Sequence, residues 1–222
     1  MAAPRLIAFD VNETLLSLDP IRRSLETIFG TDPPVGEWFA RLLHGSLIAN
    51  ALDQHRPFSA IGAEAMINLA ARRGLLLRAE DAVAAVAPMS ELPAYPDVAP
   101  GLERLVTAGF ELVALTNGSG EVANAQVANA GLGEYFTRVI SVDEVGKFKP
   151  DPAPYHHTAD SMGVDISSMV LVASHDWDCA GAMAAGSQAV FLRRPGAIWG
   201  LPTPPPRQQV PDVELLASAL GA

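Results

Sequence analysis

Four consecutive apolar residues, Leu6, Ile7, Ala8 and Phe9, run directly into a carboxylate at Asp10 and then into a polar cluster within VNETLL. A run this short and unbroken suits a strand buried on both faces of a parallel sheet, which must then be covered by helices on either side. In open α/β sheets the ligand site lies at the carboxyl ends of the strands. Asp10 falls at such an end, where a carboxylate needs partners to offset its desolvation. An isolated Asp at this place is more often a plain helix or loop cap. The pattern of the later strands decides against that.

From Pro96 onward, short apolar runs at Glu111 to Leu115, Arg138 to Val142, Met169 to Ala173 and Ala189 to Leu192 alternate with helical patterns near 98 to 108, 119 to 131, 152 to 162 and 177 to 186. Such alternation predicts βαβ units and a parallel sheet. Between Leu18 and about Tyr95 there is no buried-strand pattern, only helical periodicity broken by turn signals such as Gly30-Thr31-Asp32-Pro33-Pro34, Pro57 and Gly74. The expected division is a split core, residues 1–16 and 96–222, interrupted by a helical segment over 17–95. Within that segment Phe39, Leu42, Leu43, Ser46, Leu47 and Asn50 share one helical face, and Trp38, Arg41, Gly45, Ile48 and Leu52 share another. Apolar residues on both faces predict cover on both. Arg41 is then expected either to meet an anion or to snorkel to water. The Pro-rich stretch Pro202 to Pro211 reads as an extended surface connection to a last helix, Val213 to Leu220.

Composition removes several classes of function. A chain of 222 residues with 49% hydrophobic content can bury one full core plus a smaller domain. Its net charge of -10, with no basic block longer than a pair, argues against nucleic acid as a partner. No stretch has the length of a membrane span and the first residues show no secretory pattern, so a cytoplasmic location is expected. The single cysteine, Cys179, excludes an intramolecular disulfide and a Cys-cluster metal site. It reads as a small buried residue in an Ala- and Gly-rich helix.

Four clusters stand just past the strands: Asp10 with Thr14, Thr116-Asn117-Gly118-Ser119, Lys147 to Asp151, and Ser174-His175-Asp176-Trp177-Asp178. Parallel connectivity carries all four to one edge of the sheet. Each alone has a structural explanation as a cap or turn, but their coincidence points to one site. In this order FDVNETL, LTNGS, FKPDPAPY and VASHDWD resemble the haloacid dehalogenase superfamily of Asp-nucleophile hydrolases. More narrowly, WFARLLHG, KPDPAPY and the Trp-Asp of SHDWD are similar to the type II L-2-haloacid dehalogenases. The resemblance covers nearly the whole chain. It implies an α/β fold, a Rossmann-like parallel sheet core with a helical cap inserted after the first strand. It also implies Asp10 as nucleophile, Thr14 as its hydrogen-bond donor, Arg41 near the leaving halide, and Lys149 holding charge beside Asp10. Asp178 would position or activate the hydrolytic water. Asn12, Thr116, Asn117, Tyr155, Ser174 and Trp177 would bind substrate or support the site.

Departures from the related phosphatases matter as much as the likeness. Asn12 stands where they carry a second Asp that protonates an alcohol leaving group, and Ser174 where they carry an Asp that helps hold magnesium. A halide leaves as a stable anion and needs neither. The expected activity is therefore hydrolysis of short 2-haloalkanoic acids through an ester on Asp10, with inversion at C2 and no metal or cofactor. The alternatives are a magnesium-dependent phosphatase of a small metabolite, with Asp176 completing the metal site, and a non-catalytic binding protein on the same fold. The expected partner is a small anionic substrate, with a homodimer left open. His175 departs from the dehalogenase pattern, where an amide is common. It is expected either to assist ester hydrolysis by titrating near neutral pH, to line the halide pocket, or to be structural.

Overall fold

The computed structural model describes residues 6–220. Six strands form one sheet in the order β3-β2-β1-β4-β5-β6: β1 Leu6–Phe9, β2 Glu111–Thr116, β3 Arg138–Ser141, β4 Met169–Ala173, β5 Gln188–Leu192 and β6 Gln208–Val210. Every neighbouring pair is parallel. The last strand corrects the expectation for the Pro-rich stretch. Gln208–Val210 pairs with β5, Leu192 opposite Val210, because an edge strand of three residues needs only one bonded side and tolerates prolines just before it.

Alternate residues of β1 enter two separate cores. Ile7 and Phe9 pack with Val98, Leu102 and Leu216, whereas Leu6 and Ala8 pack with Tyr155, Ala159, Cys179 and Ala182. This is the period of two expected of a strand buried on both faces. On the first side lie α5 (Val98–Thr107) and α9 (Val213–Ala219), and on the second α7 (Pro152–Ser161) and α8 (Asp176–Ala184). α6 (Gly120–Asn129) follows β2.

Between β1 and α5 run α1 (Asp19–Phe29), α2 (Val35–Ala51), α3 (Phe58–Arg72) and α4 (Ala79–Val86). α2 packs on α3 closely enough that a Cβ on Gly45 would lie 2.6 Å from Ile61 Cγ2. Cover on both faces of α2 holds only for part of its length. Trp38 is buried with its indole N–H donating to Gly62 O, whereas Leu47, Ile48 and Leu52 are exposed. The last turn is still docked, with Ala49 buried and Asn50 Nδ2 donating to Phe148 O at 2.7 Å, so it is one face of the helix that loses its cover.

Candidate active site

The sheet order changes direction between β1 and β4, and the crevice at a topological switch point is where open α/β sheets bind ligands. Asp10 and Ser174 leave these two strands side by side. The Asp10 N–H donates to Val172 O at 3.0 Å, and the Ser174 N–H donates to Thr14 Oγ1 at 2.9 Å. Thr14 in turn donates to Asp10 Oδ2 at 2.6 Å, so the two strand ends are locked through one hydroxyl.

Lys149 reaches the same carboxylate from the loop before α7. Its Nζ donates to Asp10 Oδ1 at 2.8 Å, Asp178 Oδ2 at 2.6 Å and Leu115 O at 3.0 Å, which consumes all three N–H bonds of an ammonium. The peptide of Lys149 is clamped by Asn117, whose Oδ1 accepts from Lys149 N at 2.8 Å and whose Nδ2 donates to Lys149 O at 3.5 Å. Asp178 sits in the first turn of α8 and accepts from Tyr155 Oη at 2.6 Å. A glycine permits this approach: a Cβ on Gly181 would lie 2.5 Å from Pro150 Cβ and 2.8 Å from Tyr155 Oη. Any larger residue there would push α8 away and draw Asp178 off Lys149.

The fourth arm is His175. Its Nδ1 lies 3.1 Å from Asp10 Oδ2 and its Nε2 lies 3.2 Å from Glu13 Oε2. Ionised carboxylates only accept, so both ring nitrogens must carry protons and the ring is an imidazolium. The ring lies between Phe39 of α2, at 5.5 Å, and Trp177, at 5.1 Å, both tilted by 25°. Burial opposes its charge, but Asp10 and Glu13 push its pKa up to about 10. Burial would likewise raise Asp10, yet Lys149 and His175 hold that carboxyl well below the usual range. Asp178 moves the other way, raised by burial and by the charge of Asp10 against the pull of Lys149. At neutral pH the nucleophile candidate is therefore ionised, and the expectation that His175 titrates near neutrality is corrected by its two carboxylate partners.

The remaining expected residues divide. Trp177 stacks on His175, and Tyr155 and Asn117 are bound within the cluster as described. Thr116 Oγ1 accepts from Gly118 N at 3.1 Å and shapes the turn. Asn12 faces the other way, its Oδ1 accepting from Gln126 Nε2 at 2.9 Å. Ser174 Oγ is buried without a hydrogen-bond partner among the described residues. Arg41 is not brought to the cluster: it donates to Glu37 and Asn68 of the helical segment, and its side chain is 28% exposed. Phe39, two residues earlier, takes the inward place. Residues separated by two positions on an α-helix point about 200° apart, so they cannot both face the sheet. Glu13 and Phe39 join the site without any sequence signal to mark them. Aromatic residues at core spacing and a Glu in a turn carry none of their own.

A divalent metal does not fit these donors. The carboxylates of Asp10 and Asp178 are bridged by the Lys149 ammonium, position 174 offers only a hydroxyl, and among the described residues no three His, Cys, Asp or Glu side chains are grouped to hold an ion.

Residues 4–186 match the family model of haloacid dehalogenase-like hydrolases. The chain is 30% identical over 200 residues to (S)-2-haloacid dehalogenase 4A of Burkholderia cepacia, covering 86% of this chain and 84% of that protein. It is similar to the crystal structure of an L-2-haloacid dehalogenase, with a TM-score of 0.92, 25% identity and complete coverage of both chains. A dehalogenase solved with an intermediate complex matches with a TM-score of 0.89 and 27% identity, over 100% of this chain and 99% of that one.

Proposed function

The chain belongs to the haloacid dehalogenase-like hydrolases, and from that premise we propose that it hydrolyses the carbon–halogen bond of short 2-haloalkanoic acids. The observation that carries this reading is the buried, ionised carboxylate of Asp10 with no proton donor beside it at position 12. A phosphoester needs its leaving alcohol protonated, and a halide does not. Oδ2 of Asp10 already accepts from Thr14 and His175, whereas Oδ1 accepts only from Lys149, so Oδ1 has the free lone pair. Oδ1 attacks C2 from the side opposite the halogen. The new O–C2 bond forms as the carbon–halogen bond breaks, the halide leaves with the electron pair, and C2 inverts. Water then attacks the Asp10 ester carbonyl. Asp178, whose carboxyl is raised towards proton acceptance, takes the proton from that water. The ester C–O bond on the protein side breaks, the leaving alkoxide takes the water's second proton from the new Asp10 carboxyl and departs as the 2-hydroxy acid, and Asp178 releases its proton to solvent.

In this reading residues 17–95 form the cap and 1–16 with 96–222 the catalytic core; residues 1–5 and 221–222 of that division lie outside the described structure. A cytoplasmic location is supported by one free, buried cysteine. No helix among the described residues is long and apolar enough to cross a membrane. The exposed Leu47 and Ile48 of α2, with Leu52 just after it, would serve a homodimer. The decisive test is a single turnover of 2-chloropropanoate in heavy-oxygen water. Label is expected in Asp10, and label found directly in the hydroxy acid would mean that water attacks C2 and Asp10 is only a base. Asp10→Asn is expected to release no halide.

A further inference from the structure

Two buried donors, Nη2 of Arg194 and Oγ of Ser174, have no acceptor among the described residues, and both residues line one cavity of about 390 Å³. Arg194 stands just past β5 and is 7% exposed. Its guanidinium is fixed from three sides. Nε donates to Thr14 O at 3.0 Å, Nη1 donates to Asp97 Oδ1 at 2.6 Å, and Cζ lies 4.2 Å from the centroid of the Tyr95 ring. Nη2 is the corner left over, and a charged donor buried without an acceptor is costly to a folded chain. Ser174 reaches the same cavity from the end of β4, with its N–H fixed on Thr14 Oγ1 at 2.9 Å. Thr14 therefore anchors both residues, one by its carbonyl and the other by its hydroxyl.

The other charged groups of the cavity decide what it can hold. Glu13 is bonded to His175, and Asp176 accepts from Trp177 N at 2.7 Å and Gly200 N at 3.0 Å. Arg22, the second guanidinium of the lining, pairs with no carboxylate among the described residues. The carboxylates are engaged and donors remain. Val35, Pro195, Ala197 and Ile198 add an apolar wall, and an apolar space with a few placed donors is what a small-molecule site requires. We propose that this cavity binds a small organic monocarboxylate, whose two oxygens accept from Arg194 Nη2 and Ser174 Oγ while its carbon body rests on the apolar wall. A carboxylate only accepts, and its two oxygens match the two donors. No hydrogen bond opposes turning of the Ser174 hydroxyl towards the ligand. A phosphate dianion would bring a further charge beside Glu13 and Asp176, so it is the poorer occupant.

The test is calorimetric titration of benzoate into the wild type, Arg194→Lys and Ser174→Ala. Benzene takes a cavity of about 150 Å³. The ring therefore fits this cavity and not the space of about 30 Å³ beside Asn12 and Gly118. Benzoate has no carbon–halogen bond, so its binding is read independently of the dehalogenase reading. Arg194→Lys keeps the charge but loses Nη2, and is expected to weaken benzoate at least about tenfold. Ser174→Ala removes a hydroxyl that bonds nothing, so the fold is retained, and a loss of about threefold is expected. Should Arg194→Lys fail to fold, Ser174→Ala carries the test alone. No benzoate binding by the wild type, or unchanged affinity in either folded variant, would overturn the proposal. So would inorganic phosphate binding more tightly than benzoate, which would assign the two donors to another class of anion. Halide release from 2-chloropropanoate is measured on the same wild-type samples. Benzoate binding as expected without halide release refutes the dehalogenase reading alone, and halide release without benzoate binding refutes the carboxylate site alone.

Discussion

Lys149→Met removes the ammonium that bridges two buried carboxylates while keeping a side chain of similar length. Lys149 and Asp178 are fully buried and Asp10 is only 5% exposed, so neither carboxylate can turn to solvent for compensation. Breaking a buried ion pair by removing one partner costs about 3–5 kcal/mol. Asp10 keeps Thr14 and His175, whereas Asp178 keeps only Tyr155. Asp178 is therefore the group that protonates. Burial already raises it in the wild type, and the variant loses the cation that opposed that rise. A carboxyl whose folded pKa lies above its unfolded value contributes stability that is complete below the unfolded value and lost as pH rises through the folded one. The deficit of Lys149→Met should therefore grow from pH 5 to pH 7, by up to about 1.4 kcal/mol per pH unit while Asp178 stays protonated in the folded state. Urea unfolding followed by circular dichroism at pH 5, 6 and 7, with the wild type in parallel, reads this directly. A deficit that is constant across these pH values would refute the reasoning, since it would mean that no buried carboxyl takes up a proton when the lysine is lost.

Arg41→Ala is expected to keep halide release within a few-fold of wild type and to lose no more than about 1 kcal/mol in urea unfolding, because its partners are a partly exposed Glu37 and Asn68. A hundredfold loss of rate would return this arginine to the site. For His175 the folded pKa is raised, so its contribution to stability is complete below about pH 6.5 and declines as pH rises towards about 10. His175→Asn should lack that alkaline decline, as thermal unfolding between pH 6.5 and 10 would show. Exhaustive chelation should leave halide release intact, and recovery of a lost rate on adding magnesium would contradict the donor arrangement around Lys149.

Much of this protein is legible in its residue order. The apolar run Leu6–Phe9 ending in Asp10, the later strands at 111, 138, 169 and 189, and the helical stretch between them carry periodicities that reflect burial on one face or two. Parallel strands all present their carboxyl ends at one edge, so Asp10, Asn117, Lys149 and Asp178 can be gathered from residue order alone. β6 escapes such a reading because three residues after a run of prolines carry too little pattern to stand out.

The tertiary structure alone decided which side of α2 meets the sheet. Helical period sets the angle between Phe39 and Arg41 but not the rotation of the whole helix, and apolar residues on both faces left that rotation undetermined. It also decided the charge of His175. A histidine's protonation depends on what touches its two nitrogens, and here the partners come from a turn more than 160 residues earlier in the chain. Residue type supplies the capacity to titrate, and only the folded arrangement of Asp10 and Glu13 around the ring sets where it does so.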